Sequence, residues 1–172
     1  MVELSRTLAI RNEYLGQTKQ SVTEWLDCVQ WIGTRWDEAD MIAYRNRVIR
    51  DVVLPKLADF EWFMFIDSDV TITEPGMTRF LALNTDVGSC VCRMRDMKCW
   101  ASPTAFHDPL FYVRSDVFRA VHAPWFKLKY SPDYCDILEC PCQWFRKKVL
   151  DAGFSISHGG SCGHDCAGRW CG

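Results

Sequence analysis

Two aspartates one residue apart, Asp67 and Asp69, follow directly on an apolar run rich in aromatic residues. The run, Trp62–Ile66, is apolar on both faces, which predicts a buried strand of a parallel sheet. Open α/β sheets bind their ligands at the carboxyl ends of such strands. Residues i and i+2 of an extended chain point to the same side, so the two carboxylates can converge on one hard cation that holds the phosphates of a nucleotide. The alternative is a solvated acidic turn, but the strand before the pair and the predicted loop after it, Thr71–Gly76, favour the metal site.

The elements that must position this pair alternate between helix and strand. The first half of the chain is predicted to contain a helix over Ser5–Leu26, a strand over Cys28–Gly33, a helix over Met41–Leu54 capped by Asp40, the strand that ends at Asp67, a helix over Gly76–Leu83 and a strand over Asp86–Cys92. This alternation predicts an α/β fold with a mostly parallel, Rossmann-like sheet flanked by helices.

The second half is predicted to contain shorter elements. They are a strand over Phe111–Val113, a helix over Ser115–Val121, a loop that begins at Pro124, a helix over Gln143–Ala152 ended by Gly153, and a strand over Phe154–Ser157. A tail rich in cysteine and histidine follows the last strand.

The composition is that of a globular protein, since 48% of the residues are hydrophobic. A chain of 172 residues is long enough for a core of its own, so 1–172 is predicted to be a single domain. The net charge of −2 gives no overall electrostatic case for nucleic-acid binding. No apolar run reaches the ~18 residues of a transmembrane helix, and Glu3, Arg6 and Arg11 interrupt what would be a signal-peptide core. We therefore expect a cytoplasmic protein.

The chain contains ten cysteines, seven of them from Cys99 onward. Without an export signal, reduced thiols or metal ligands explain them better than a disulfide scaffold. A structural Zn²⁺ site is therefore one hypothesis. Its candidate ligands are Cys135, Cys140, Cys142, His158, Cys162, His164, Cys166 and Cys171.

Four motifs, in the same order as in the family, resemble the GT-A glycosyltransferases, which use nucleotide sugars. The motifs are Arg45-Asn46 in a helix, the strand Trp62–Ile66 with Asp67-Ser68-Asp69-Val70 after it, the segment Phe111–Phe118 with Pro124–Phe126, and the segment Phe145–Ile156 followed by Cys162–His164. The resemblance covers roughly residues 39–166.

These enzymes usually open with a strand and turn that bind the nucleotide base. Here the predicted first element is the helix Ser5–Leu26, so the resemblance implies an enzyme that lacks the usual first strand. It also implies a donor and metal-binding half over about 28–98 and an acceptor half with a metal-ligating tail over about 99–172.

The resemblance implies a metal-dependent transferase of the Asp-x-Asp type, which moves a sugar from a UDP- or GDP-sugar to a hydroxyl acceptor. The implied metal ligands are Asp67, Asp69 and one imidazole. Mn²⁺ accepts carboxylate and imidazole together, whereas Mg²⁺ prefers oxygen ligands, so Mn²⁺ is favoured and Mg²⁺ is the alternative. His164 is the preferred histidine because it follows a glycine-rich segment, Gly159–Gly163, able to fold back over a ligand. His158 is the second choice.

Further residues are candidates for donor binding and catalysis. Arg45, Asn46, Asp67 and Ser68 are expected to contact the donor, since a guanidinium forms bidentate bonds to phosphate. Asp136 and Glu139 are both candidates for the general base of an inverting reaction. In a retaining reaction neither needs that role.

The acceptor is not encoded in any motif, and a protein, a glycan, a lipid headgroup or a modified nucleic acid would each suit the chemistry. Aromatic side chains that could stack on it are Trp100, Trp125, Phe126 and Trp144. Two other functions compete with glycosyl transfer. One is nucleotidyl transfer, which also uses strand-end aspartates with divalent ions. The other is a zinc-stabilised binding module without catalysis.

Overall fold

The structure is a computed structural model that describes residues 1–2, 6–13, 29–33, 38–67, 70–94, 109–135 and 137–164. The strands within these residues are β1 (Thr7–Glu13), β2 (Val29–Gly33), β3 (Trp62–Asp67), β4 (Val70–Ile72), β5 (Val87–Met94), β6 (Leu110–Arg114), β7 (Lys129–Tyr130), β8 (Ile137–Glu139) and β9 (Ile156–His164). The α-helices are α1 (Glu38–Val48), α2 (Glu74–Leu81), α3 (Ser115–Ala120) and α4 (Pro141–Asp151). A π-helical segment, Ile49–Val53, and a 3₁₀ turn, Leu54–Lys56, continue α1.

Seven strands form one sheet in the order β2-β1-β3-β6-β5-β9-β4. Strands β1, β2, β3, β5 and β9 run in the same direction, and β6 and β4 run opposite to them. The remaining two strands, β7 and β8, form a separate antiparallel pair. The predicted α/β fold with a mostly parallel sheet is therefore confirmed.

The core lies on both faces of the sheet, because successive residues of β3 point in opposite directions. Phe63 and Phe65 pack on one face with residues of α3 and α4, including Phe118 and Phe145. Met64 and Ile66 pack on the other face with residues of α2. Helices therefore cover both faces, and this explains why β3 is apolar along its whole length.

Strand β1 lies within the predicted helix Ser5–Leu26, so that prediction is wrong across Thr7–Glu13. Strand β1 lies between β2 and β3 and is parallel to both. Thr7, Leu8, Ala9 and Ile10 are consecutive and all buried, as expected for a strand covered on both faces. A strand thus precedes β2 in the chain, where the sequence predicts a helix. Residues 14–28 of the predicted helix lie outside the described residues.

Two helix starts differ from the prediction. Helix α1 begins at Glu38, so Asp40 lies inside it and does not cap it. The predicted loop Thr71–Gly76 instead supplies most of β4 and the first turn of α2. Thr73 caps α2 by accepting a hydrogen bond from the Gly76 N–H at 3.3 Å.

The glycine-rich segment Gly159–Gly163 is part of β9 rather than a loop. Its glycines allow close approach of neighbouring elements. A Cβ on Gly160, whose φ is +69°, would lie 2.8 Å from the Gly76 carbonyl oxygen. A Cβ on Gly163 would lie 2.7 Å from Thr71 Oγ1. Glycine is required here because α2 and β4 leave no room for a side chain.

Within the described part of the chain, no helix is both long and apolar enough to cross a membrane.

Candidate functional site

Asp67 is the last residue of β3 and is 4% exposed. Its backbone N–H donates to the Pro109 carbonyl at 2.8 Å, which fixes the end of the strand beside the residue that leads into β6. Ser68 and Asp69 lie outside the described residues, and β4 begins at Val70. The strand predicted to end in the first aspartate is thus confirmed, and its end carries a buried carboxylate.

Arg45 of α1 faces this carboxylate. Its Nη2 lies 3.6 Å from Asp67 Oδ1, and both side chains are about 5% exposed or less. The separation exceeds the usual length of a direct N–H···O hydrogen bond, so this contact is an ion pair. Two charges removed from water in this way compensate one another. Removing either side chain would leave an uncompensated buried charge, which destabilises the folded state. The described residues thus bring a cation and an anion together at the end of β3.

The Arg45 guanidinium also lies over an aromatic ring. Its Cζ is 5.5 Å from the centroid of Phe126, within the range of a cation–π interaction. Phe126 is 1% exposed and stacks on Phe145 of α4. The ring therefore packs against the core on one side and contacts the guanidinium on another.

Asn46 binds the backbone of the segment Trp125–Phe126. Its Oδ1 accepts hydrogen bonds from the N–H groups of Trp125 at 2.9 Å and Phe126 at 3.1 Å. Its Nδ2 donates to the carbonyls of Phe126 at 2.8 Å and Ile42 at 2.9 Å. All four of these hydrogen bonds join Asn46 to backbone groups of the protein.

The segment before Trp125 is fixed from α3 and α4. Trp125 Nε1 donates to the Val121 carbonyl at 2.7 Å, and Trp144 Nε1 donates to the Pro124 carbonyl at 3.0 Å. Lys148 Nζ donates to the same Pro124 carbonyl and to that of His122. Burial lowers the pKa of Lys148. Two side chains of α4 thus bind the backbone of the segment before Trp125.

The aromatic residues proposed for the acceptor differ in exposure. Trp125 and Phe126 are buried in the core. Trp144 is half-buried, with Lys127 Nζ 5.0 Å from its ring centroid. Trp100 lies outside the described residues. Two other aromatic residues, Tyr130 and Tyr134, are exposed, and no local sequence pattern distinguishes them from core aromatics.

The two candidate histidines lie on β9 at different places. His158 pairs through its backbone with Ser89 of β5. His164 pairs with Val70, the residue immediately after Asp69. The sheet therefore brings the backbone of His164, and not that of His158, next to the Asp-Ser-Asp segment. The side chain of His164 is not among those described.

Glu139 lies on the small sheet. It is the last residue of β8, is half-buried and pairs through its backbone with Lys129 of β7. Helix α4 begins two residues later, at Pro141, where the sequence predicts a start at Gln143. Asp136, the other candidate base, lies outside the described residues.

The described residues contain no group of three or more His, Cys, Asp or Glu side chains placed to hold a metal ion. Cys90 and Cys162 are buried together on neighbouring strands. A hydrogen bond with Cys162 and burial raise the pKa of the Cys90 thiol, which favours the protonated form. Two of the proposed zinc ligands, Cys166 and Cys171, lie outside the described residues.

Comparison with known proteins identifies the fold and no family. No protein-family model matches the chain, and no curated protein matches it by sequence. The chain resembles the crystal structure of A197 from STIV with a TM-score of 0.52, at 10% sequence identity, over 91% of this chain and 83% of that one. It also aligns with a glycosyltransferase involved in the glycosylation of the major capsid of PBCV-1, with a TM-score of 0.48, at 15% identity, over 95% of this chain and 94% of that one. At 10% identity, the similarity to A197 concerns the fold alone.

Proposed function

We propose that this protein is a metal-dependent glycosyltransferase that moves a sugar from a UDP- or GDP-sugar to a hydroxyl acceptor. The observation that carries the proposal is the buried ion pair between Arg45 and Asp67 at the carboxyl end of β3. Strand ends of this kind are where α/β sheets bind nucleotides. A buried guanidinium there supplies a planar group whose N–H donors suit phosphate binding.

The residue types around this strand end fit a divalent cation. Asp67 provides a buried carboxylate, Asp69 follows two residues later, and the backbone of His164 pairs with that of Val70. Carboxylates with an imidazole suit Mn²⁺, and the carboxylates alone would suit Mg²⁺. The three side chains would hold the ion, and the bound ion would neutralise the diphosphate leaving group.

The remaining chemistry is assigned to other side chains of the chain. Arg45 would bind a donor phosphate from the α1 side, and Ser68 would contact the donor through its hydroxyl. If the reaction inverts configuration, Glu139 would remove the proton from the acceptor hydroxyl, with Asp136 as the alternative base. The half-buried position of Glu139 just before α4 is compatible with that role.

A donor screen tests the proposal. Binding of UDP, GDP and their sugar conjugates is measured by calorimetry with and without Mn²⁺, and sugar release is followed for each conjugate. We expect one nucleotide series to bind only when Mn²⁺ is present and its sugar to be released slowly to water. The absence of Mn²⁺-dependent binding for every nucleotide would overturn the proposal.

The same preparation separates the competing functions. Incorporation of a nucleoside monophosphate into an acceptor would indicate nucleotidyl transfer rather than sugar transfer. Stoichiometric Zn²⁺ by elemental analysis, together with no nucleotide binding, would indicate a zinc-stabilised module. Zn²⁺ found beside Mn²⁺-dependent activity would instead assign it a structural role in the Cys/His-rich tail.

A further inference from the structure

We propose that Asn46 is a positioning residue that holds Phe126 against Arg45 and thereby keeps the Arg45 guanidinium beside Asp67. The effect on donor binding rests on the proposed function. The structural part of the inference concerns the protein without ligand and can be tested separately.

The hydrogen-bonding capacity of Asn46 is fully used. A carboxamide offers two N–H donors and two acceptor lone pairs. The two donors reach the Ile42 and Phe126 carbonyls, and the oxygen accepts from the N–H groups of Trp125 and Phe126. A ligand could bind this amide only by breaking one of these bonds. Asn46 therefore suits the support of the site better than contact with the donor.

Phe126 links Asn46 to Arg45. The backbone N–H and C=O of Phe126 both bind Asn46, while its ring lies 5.5 Å from Arg45 Cζ. The partner residues Asn46 and Trp125 are 79 positions apart in sequence, so the bonds fix one segment of the fold on another. Because the guanidinium is planar, the position of the ring restricts the plane in which Arg45 can lie. The segment 124–126 thus packs against the Arg45 guanidinium, which is paired with Asp67 at the end of β3.

The first measurement uses the ligand-free protein. A ring current from Phe126 should move the Arg45 Nε–Hε signal upfield in a ¹⁵N-correlated NMR spectrum. We expect the substitution Asn46→Ala to abolish most of this shift. The matched control is Lys148→Met, which removes hydrogen bonds to the His122 and Pro124 carbonyls of the same loop but none to Phe126. The control should retain the shift.

The second measurement asks whether the position of Arg45 matters for the proposed donor site. Calorimetry with Mn²⁺ and UDP, and separately GDP, should show about tenfold weaker nucleotide binding for Asn46→Ala and near-normal binding for Lys148→Met. In a Phe126→Leu background, Asn46→Ala should weaken binding by less than about twofold, because residues that act through one another are not additive.

The outcomes separate the inference from the function it builds on. An unchanged Arg45 signal in Asn46→Ala, or equal changes in Asn46→Ala and Lys148→Met, would overturn the positioning role. If the wild-type protein binds neither nucleotide, the proposed function fails while the NMR comparison still decides the inference. If Asn46→Ala does not fold, Asn46→Asp keeps both hydrogen bonds accepted by Oδ1 and loses those donated by Nδ2. If the Arg45 Nε–Hε signal of that variant has the same upfield shift as in the wild type, the hydrogen bond from Nδ2 to Phe126 does not position Arg45.

Discussion

The backbone of His164 pairs with the backbone of Val70, the residue that directly follows Asp69. Strand β9 therefore brings a histidine from the end of the described chain beside an acidic segment nearly a hundred positions earlier. The local sequence around either residue does not predict this pairing. The pairing favours His164 over His158 as the imidazole of the proposed metal site.

We predict that Asp69→Asn abolishes Mn²⁺-dependent nucleotide binding without unfolding the protein, because an amide is a neutral and weaker ligand for a hard cation. His164→Ala should weaken the same binding. Calorimetry with Mn²⁺ and UDP or GDP measures the change, and circular dichroism verifies the fold. Asp59→Asn, an exposed carboxylate in a turn, is the control and should bind normally. Unchanged Mn²⁺ affinity in Asp69→Asn would refute the site.

We predict that Glu139→Gln lowers turnover by about 10²–10⁴ if the reaction inverts configuration, because glutamine keeps the size of the side chain but cannot accept the proton. Donor affinity should be preserved. The exposed Glu74→Gln makes the same chemical change outside the proposed site and should leave turnover intact. Normal turnover in Glu139→Gln with loss in Asp136→Asn would assign the base to Asp136, and normal turnover in both would exclude a base at either position.

We predict that Gly88→Ala is strongly destabilising. Gly88 of β5 pairs with Tyr112 of β6, and a Cβ at position 88 would lie 2.2 Å from the tyrosine ring. The Tyr112 ring cannot move freely, because its hydroxyl donates to the Leu83 carbonyl at 2.8 Å. We expect a loss of about 3 kcal/mol in the free energy of unfolding, measured by urea denaturation.

The control for that measurement is Gly153→Ala. Gly153 has a φ of +83° but nothing within 4 Å of its Cβ position. Only the backbone strain remains, which costs about 1 kcal/mol. A loss at position 88 no greater than the loss at position 153 would contradict the close contact with Tyr112.

We predict a pH-dependent stabilisation by Asp86. Burial alone would raise its pKa, but hydrogen bonds from the Ser155 N–H and hydroxyl and the Arg114 guanidinium lower it overall. A lowered pKa means that the folded protein binds this proton less tightly than the unfolded chain. The contribution to stability is therefore present above the ordinary carboxyl pKa of about 4 and is lost as the pH falls through the lowered value.

Urea denaturation between pH 7 and pH 3 measures this effect. Asp86→Asn should be less stable than the wild type at pH 7, and the difference should shrink at the acid end. Asp151→Asn, an exposed residue at the end of α4, should show no such trend. A constant difference across the pH range would show that the charge of Asp86 is not responsible.

The local sequence pattern could predict two kinds of element: strands buried on both faces, and helices whose end is marked by a glycine. The run before Asp67 predicted β3, and Gly153 marked the end of α4. Strand β1 was missed because a short apolar run such as Leu8–Ile10 suits a buried helix and a buried strand equally. The strand predicted over Phe154–Ser157 ends too early, because the glycines of β9 weaken a strand pattern. Only the contact with α2 explains why glycine is needed at Gly160.

The candidate site was only partly accessible from the sequence for a related reason. The apolar run before Asp67 and the position of Asp67 at its end predicted a metal ligand, since both features lie within one strand. The contacts of Arg45 with Asp67 and Phe126 join three separate elements, and Asn46 binds a loop 79 residues away. Such contacts depend on the order in which strands and helices pack, about which local periodicity carries no information.

The order of strands also has a consequence for the synthesis of the chain. From β3 to β4 the sheet alternates between strands made early and strands made late, in the order β3, β6, β5, β9, β4. A nascent chain that has reached residue 98 therefore has β3, β5 and β4 but none of the strands that join them. Their unpaired edges are exposed to other chains until β6 and then β9 leave the ribosome. Within the described residues, the sheet that carries Asp67 is complete only when the last of these strands, Ile156–His164, has been made.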